Sequence, residues 1–189
     1  MKKVKNIVAL LILAVTIMSC KSVSAPKRAI NDSGMMYAMV YDYDNMPVSG
    51  ASVFINGKLY IETDLQGRFI LEFPKKGEYA IIVAKPGYET LEDSFAYDPM
   101  NVLYLKMVNS TQLLSQAEEA LDQYTYNDAE TLIGRALALE PSRPDLLYFQ
   151  SIVYFYQGRK AQAKDILENL LERGINGNHI VDFIRMLPD

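Results

Sequence analysis

VLYLKMVNSTQLLSQAEEALDQY, residues 102–124, carries two periods in one stretch. From Val102 to Val108 the residues are apolar or aromatic with one lysine, the composition and length of a strand. After Asn109 the spacing changes. Leu113, Leu114, Ala117, Ala120 and Leu121 recur at three and four residues, the 3.6-residue period of a helix. Ser110 or Thr111 supplies the expected helix cap, and the helix is expected to run to about Tyr124. The change of period divides the chain into a β part, residues 34–108, and an α part, residues 110–189.

Upstream of the change the period is two. Strand-like runs cover Met35–Tyr43, Ala51–Asn56, Lys58–Thr63, Arg68–Phe73, Glu78–Ala84, Glu89–Tyr97 and Val102–Val108. Turn chemistry separates them: Asn45-Met46-Pro47, Ser49-Gly50, the hairpin signal Asn56-Gly57, Asp64-Leu65-Gln66-Gly67, Lys75-Lys76-Gly77 and Pro86-Gly87. Seven short strands at this spacing predict an antiparallel seven-stranded β-sandwich. Alternation points Val53, Ile55, Phe69, Leu71, Tyr79, Ile81 and Val83 into its core. The expected fold class is α+β, with the sandwich followed by a helical hairpin-repeat module.

Within the β part, Pro47-Val48-Ser49-Gly50-Ala51-Ser52-Val53, Thr63-Asp64-Leu65-Gln66-Gly67-Arg68-Phe69, Gly77-Glu78-Tyr79 and Lys85-Pro86-Gly87-Tyr88 follow in that order. This run resembles the carboxypeptidase regulatory-like family along nearly the whole of residues 34–108. The resemblance implies a transthyretin-like, non-catalytic module of a kind found as an accessory in envelope proteins. A weaker likeness is to the PEGA-type surface module, through Ala51–Lys58 and Lys85–Tyr88.

In the α part, helices are expected at about 110–124, Asn127–Glu140, Pro144–Gln157, Lys160–Arg173 and His179–Met186. Leu113 and Leu147, Ala120 and Tyr154, Ala129 and Ala163, and Ile133 and Leu167 stand 34 residues apart. That is the length of a tetratricopeptide repeat. Ala129, Ile133, Ala136 and Pro141 in one unit, and Tyr154, Ala163 and Leu167 in the next, resemble that family. Gln116, Gln150 and Ile175 depart from its pattern. Two repeats and a cap bury little surface, so the α part is expected to lean on the sandwich, on the last helix or on another protein. The resemblance places the first helix of each unit on a concave groove. The residues so placed are Thr111, Leu114, Glu118, Leu121 and Asp122, then Asp145, Tyr148, Ile152, Phe155 and Tyr156. The second set is apolar and aromatic, so two roles stand: a partner-binding groove, or an intramolecular interface with the sandwich or the last helix.

The N-terminus reads as an address. Lys2, Lys3 and Lys5 precede the apolar run Ile7–Met18, which at 1.5 Å per helical residue is too short for a bilayer core of about 30 Å. Residues 1–19 are therefore expected to be a signal peptide. Ile17-Met18-Ser19-Cys20 resembles a bacterial lipobox. The resemblance implies that Cys20 carries a diacylglycerol thioether and an N-acyl chain and becomes the mature N-terminus. Residues 20–33 are the lipidated cysteine and a polar tether. Lys21 and Ser22 are not the aspartate that retains some lipoproteins at the inner membrane. The expected location is thus the cell envelope, at the outer membrane if the cell has one.

Composition limits the chemistry. Of 189 residues, half are hydrophobic and 22% charged, so most of the chain can pack. The formal charge of −4 is built from 19 basic and 23 acidic residues, which argues against a nucleic-acid partner. One Cys and one His, His179, cannot build a multi-ligand Cys/His metal site or an internal disulfide. Asp42-Tyr43-Asp44-Asn45 offers oxygens to calcium but runs into Pro47, which favours a solvated turn. Glu62, Asp64, Glu89, Glu92 and Asp93 read as surface charge, and no nucleophile–base–orienter set stands out. No catalytic residue, metal or cofactor is expected beyond the acyl groups on Cys20. Two functions follow: a membrane-anchored scaffold that holds another envelope protein or peptide, or a glycan- or cell-wall-binding accessory module. The absence of Trp weighs against the second.

Overall fold

A computed structural model describes residues 34–187. The expected signal peptide, Cys20 and the tether lie outside the described residues. Among the described residues, seven strands are followed by five helices. The strands are β1 (Met35–Asp42), β2 (Ser52–Ile55), β3 (Lys58–Glu62), β4 (Arg68–Glu72), β5 (Gly77–Ala84), β6 (Leu91–Tyr97) and β7 (Val102–Met107). The helices are α1 (Ser110–Asp122), α2 (Tyr126–Leu139), α3 (Pro144–Tyr156), α4 (Lys160–Glu172) and α5 (Asn178–Met186).

The strands form two sheets, β4-β1-β7 and β3-β2-β5-β6. Ala38, Val40, Leu71 and Leu105 from the first and Val53, Ile55, Ile81 and Val83 from the second close one core, so the β part is a sandwich of three strands on four. Tyr79, expected inside, is half-buried and stacks on Phe73 with ring centroids 4.1 Å apart. The expected all-antiparallel pairing needs correction: β1 and β7 are parallel, with Tyr37 opposite Val102 and Asp42 opposite Met107. The cause is where β6 delivers the chain. Tyr97, its last residue, donates its hydroxyl to the Gly34 carbonyl at the start of β1, so β7 departs from that same end.

The turns explain the sequence marks. Asn56 and Gly57 have φ of 49° and 77°, a two-residue hairpin loop that matches strand twist. Thr63 is buried; its hydroxyl donates to the Val48 carbonyl at 2.7 Å and accepts from the Ala51 N–H at 2.9 Å. Asp64 accepts the N–H groups of Gln66 and Arg68, both at 2.8 Å, and the bond from Arg68 leads in holding its carboxyl below its ordinary pKa. Gly67 has φ of +70°, and a Cβ there would lie 2.4 Å from the Val40 carbonyl oxygen. β3 holds a bulge that its sequence does not announce, the register shifting opposite Val53 and Phe54. It carries Tyr60, whose hydroxyl accepts the Glu72 N–H across the gap between the sheets.

Helices start at 110, 144 and 178, and at 126 and 160, so the 34-residue offset is carried by the backbone as well as by the sequence. Tyr124 and Gly158, at equivalent turns, both have positive φ, 61° and 79°. Small Ala117 and Ser151 are fully buried at matching positions, as are Ala129 and Ala163. The cap of α1 is Asn109, not Ser110 or Thr111. Its side chain accepts the Gln112 N–H at 2.9 Å while Gln112 Oε1 accepts the Asn109 N–H, a reciprocal capping box.

The junction between the two parts is hydrogen-bonded backbone. Glu89 N–H donates to the Val108 carbonyl at 2.9 Å, and Ser110 N–H to that of Gly87 at 3.2 Å. Arg135 of α2 grips Glu89 through Nε at 2.8 Å and Nη2 at 2.7 Å, and Gln112 Nε2 reaches Asp44 Oδ2 at 2.6 Å. Strand direction therefore gives the sandwich two ends. Gly34 and the β4–β5 and β6–β7 turns share one end; the β1–β2 and β5–β6 loops and the helices share the other.

Candidate functional site

α3 reads PDLLYFQSIVYFY and is apolar around most of its circumference, so it packs on more than one side. Leu146, Phe149, Ser151 and Val153 are buried. Tyr148, Ile152 and Phe155 are half-buried and Tyr156 is 53% exposed. These four residues share one wall of an open cavity of about 410 Å³. The other wall is α5, through His179, Asp182, Phe183 and Met186. The α5 helix turns Ile180, Phe183 and Leu187 onto Leu167 and Leu170 of α4, and this seating sets the width of the cavity.

Rings run continuously through it. Tyr126 stacks on Tyr156 at 5.7 Å, Tyr156 meets Phe155 edge-on at 5.5 Å, and Phe155 meets Phe183 at 5.5 Å. Tyr148 meets Phe183 at 6.2 Å and His179 at 4.9 Å. Such edge-to-face pairs fix ring orientation as well as burying area. Lys160 Nζ lies 6.0 Å from the Phe155 ring. The aromatic set thus has two sides: one holds α5, and the other is open to solvent.

Leu114, Glu118 and Leu121 are placed elsewhere. Leu114 and Leu121 are half-buried against the core formed by α1, α2 and α3, Glu118 is exposed, and none lines this cavity. Thr111 and Asp145 belong to a polar knot around Arg143, whose Nη1 donates to Ser110, Thr111 and Glu140 at 2.9–3.0 Å and whose Nη2 donates to Asp145 at 2.8 Å. The Ser110 hydroxyl, and then Arg143, hold Glu140 below the usual carboxylate range. A second knot joins the units: Glu130 is lowered by the hydrogen bond from Arg159 and then by that from Gln157. The lining residues of α5 other than His179 do not stand out in the sequence as site residues. A signal for them exists, since Asn178 follows Pro144, and Phe183 follows Phe149, by the same 34 residues.

The polar residues of the sandwich that could have carried chemistry are structural in their contacts. Asp42 accepts the N–H groups of Asp44 and Met46, both at 2.9 Å. Asp44 and Glu89 hold the helices, as above. Arg135 lowers the Glu89 carboxyl, first through its hydrogen bonds and also through its charge. Glu62, Glu92 and Asp93 are exposed.

No family model matches the chain, and no curated protein matches it. Among solved structures, it is similar to the Bacillus anthracis TIE protein (18% identity, 41% of this chain and 17% of that one, TM-score 0.36). It is also similar to a streptococcal ancillary pilin (22% identity, 41% and 30%, TM-score 0.36) and to BcpA, the major pilin subunit of Bacillus cereus (16% identity, 41% and 28%, TM-score 0.32). This chain spans no more than 30% of the length of any of these three, and the likeness is distant.

Proposed function

We propose that this chain is a membrane-anchored cell-envelope lipoprotein, held through acyl groups on Cys20, whose tetratricopeptide-like helices hold another envelope protein or peptide without chemistry of their own. The supporting observation is the open aromatic wall of Tyr148, Ile152, Phe155 and Tyr156 facing α5. Aromatic side chains bury large area at low entropic cost and are common anchors of protein interfaces. The sandwich connects the anchor and the helices in this reading: the chain enters it at Gly34 and leaves β7 for the helices after Met107.

Two measurements test the reading separately. Cells fed a clickable fatty acid should label the wild-type chain and not Cys20→Ala; equal labelling overturns the anchor. Crosslinked membranes should yield a defined protein with the wild-type chain and lose it with Tyr156→Ala. A partner retained by that variant at wild-type level overturns the groove.

A further inference from the structure

The sheet β4-β1-β7 has a second apolar face. β1 reads MMYAMVYD, and while Met36, Ala38 and Val40 point into the core, Met35, Tyr37 and Met39 point out. Register places Tyr37 between Ile70 of β4 and Val102 of β7, and Met39 beside Tyr104. Met35 is 53% exposed, Tyr37 57% and Tyr104 66%. A contiguous exposed apolar patch across three strands marks a contact surface. Its charged outward neighbours are Arg68, Lys106 and Glu72, and Arg68 pairs with Asp64 at 3.1 Å, so the rim holds two bases against two acids on a chain whose total is −4.

We propose that this face rests on the anionic surface of the membrane to which the chain is tethered. The proposal builds on the acylation of Cys20 proposed above. Residues 21–33 join that cysteine to Gly34, which the Tyr97 hydroxyl pins at the head of the central strand of this sheet. Thirteen residues reach at most about 45 Å even when fully extended, which keeps the face near the bilayer. A short linker gives an effective concentration on the order of 1 mM, which lets a weak interfacial affinity keep the face bound. Charge agrees. The tether has Lys21, Lys27 and Arg28 against Asp32, whereas residues 110–189 have seven basic residues against twelve acidic ones and are repelled by anionic headgroups. Tyr and Met suit the site, since tyrosine concentrates at the headgroup level with its ring buried and its hydroxyl wet.

The chain has no tryptophan, so a single one reports on its own position. Full-length Tyr104→Trp and Tyr37→Trp, acylated and reconstituted in phosphatidylethanolamine–phosphatidylglycerol vesicles, are compared with Tyr124→Trp on the α1–α2 turn, where the tyrosine is 78% exposed. Brominated acyl chains should quench the two sheet positions at least about twofold and blue-shift them, and leave the position-124 probe unchanged. Equal quenching at all three positions, in a chain whose mass carries the acyl groups, overturns the proposal and leaves the anchor intact. A mass without acyl groups overturns the anchor, and the proposal with it. A sheet probe shielded from iodide but not quenched by brominated lipid, in a protein that dimerises in detergent, assigns the face to a second copy and also overturns the proposal.

Discussion

Gly67 and Thr63 show how a few atoms hold the sandwich. Gly67 brings its backbone against β1, presenting no side chain where a Cβ would meet the Val40 oxygen. Gly67→Ala is expected to cost about 2–4 kcal/mol, from the left-handed backbone and the clash together. Gly50 has φ of +64°, but a methyl group there would meet no heavy atom within 4 Å, so Gly50→Ala should cost only about 1–2 kcal/mol. Chemical denaturation of the two variants checks the difference; equal losses would mean that the close approach to Val40 is unimportant. Thr63→Val removes a buried hydroxyl and strands the Val48 carbonyl and the Ala51 N–H, for an expected loss of about 1–3 kcal/mol.

At the scale of elements, α3 and α5 divide the aromatic residues between packing and exposure. Phe183 is buried, so Phe183→Ala should cost about 3–5 kcal/mol and loosen α5. Phe155 is half-buried, and its truncation should cost about 1–3 kcal/mol. Tyr156 lies at the open rim. Its loss should change stability by under about 1 kcal/mol while lowering partner recovery about tenfold or more. Denaturant midpoints measured beside pull-downs separate these effects. A large folding defect in Tyr156→Ala would assign the rim to packing. The α1 cap is a separate contribution: Asn109→Ala should destabilise by about 1 kcal/mol, because it removes the side-chain acceptor of the capping box.

For the molecule as a whole, the junction sets how far the two parts unfold together. Glu89 is depressed in the folded chain by Arg135, so its contribution is present above its unfolded pKa. That contribution fades as pH falls through its lower folded pKa. The pair is partly solvated, and its worth is under about 1 kcal/mol. The melting temperature of Arg135→Ala should therefore fall below wild type at neutral pH and converge with it on acidification. A gap that does not depend on pH would show that Arg135 acts through packing alone. Residues 110–189 expressed alone lose the anchors at Gly87, Glu89, Asp44 and Val108. They should give a helical spectrum with a lower denaturant midpoint than the helices have in the intact chain.

Local chemistry made the elements legible. Asn56-Gly57 can satisfy two successive positive φ angles at low cost, Pro144 suits the first turn of α3, and alternation along β4 and β5 leaves few choices of inward face, so these features could be read from neighbours in sequence. The 34-residue spacing belongs to the same class, since it repeats turn and packing requirements along the chain. The parallel partner of β1 could not be read this way: strands that reverse at each connection give the first and the seventh the same direction, but β1 and β7 are separated by five strands and only the packed sandwich makes them neighbours. The second apolar face of β1 is written in MMYAMVYD, but whether a side of a strand is covered depends on what packs over the sheet. The wall of the aromatic cavity also waited on three dimensions: Tyr148 and Phe155 stand 35 and 28 residues before Phe183, and it is the seating of α5 on α4 that brings them together. Sequence by itself determined the strands, the helices and their periods, because those depend on short-range backbone and side-chain preferences. Tertiary structure alone decided which strands are neighbours, the exposed sheet face and the composition of the cavity, because each is a contact between segments distant in the chain.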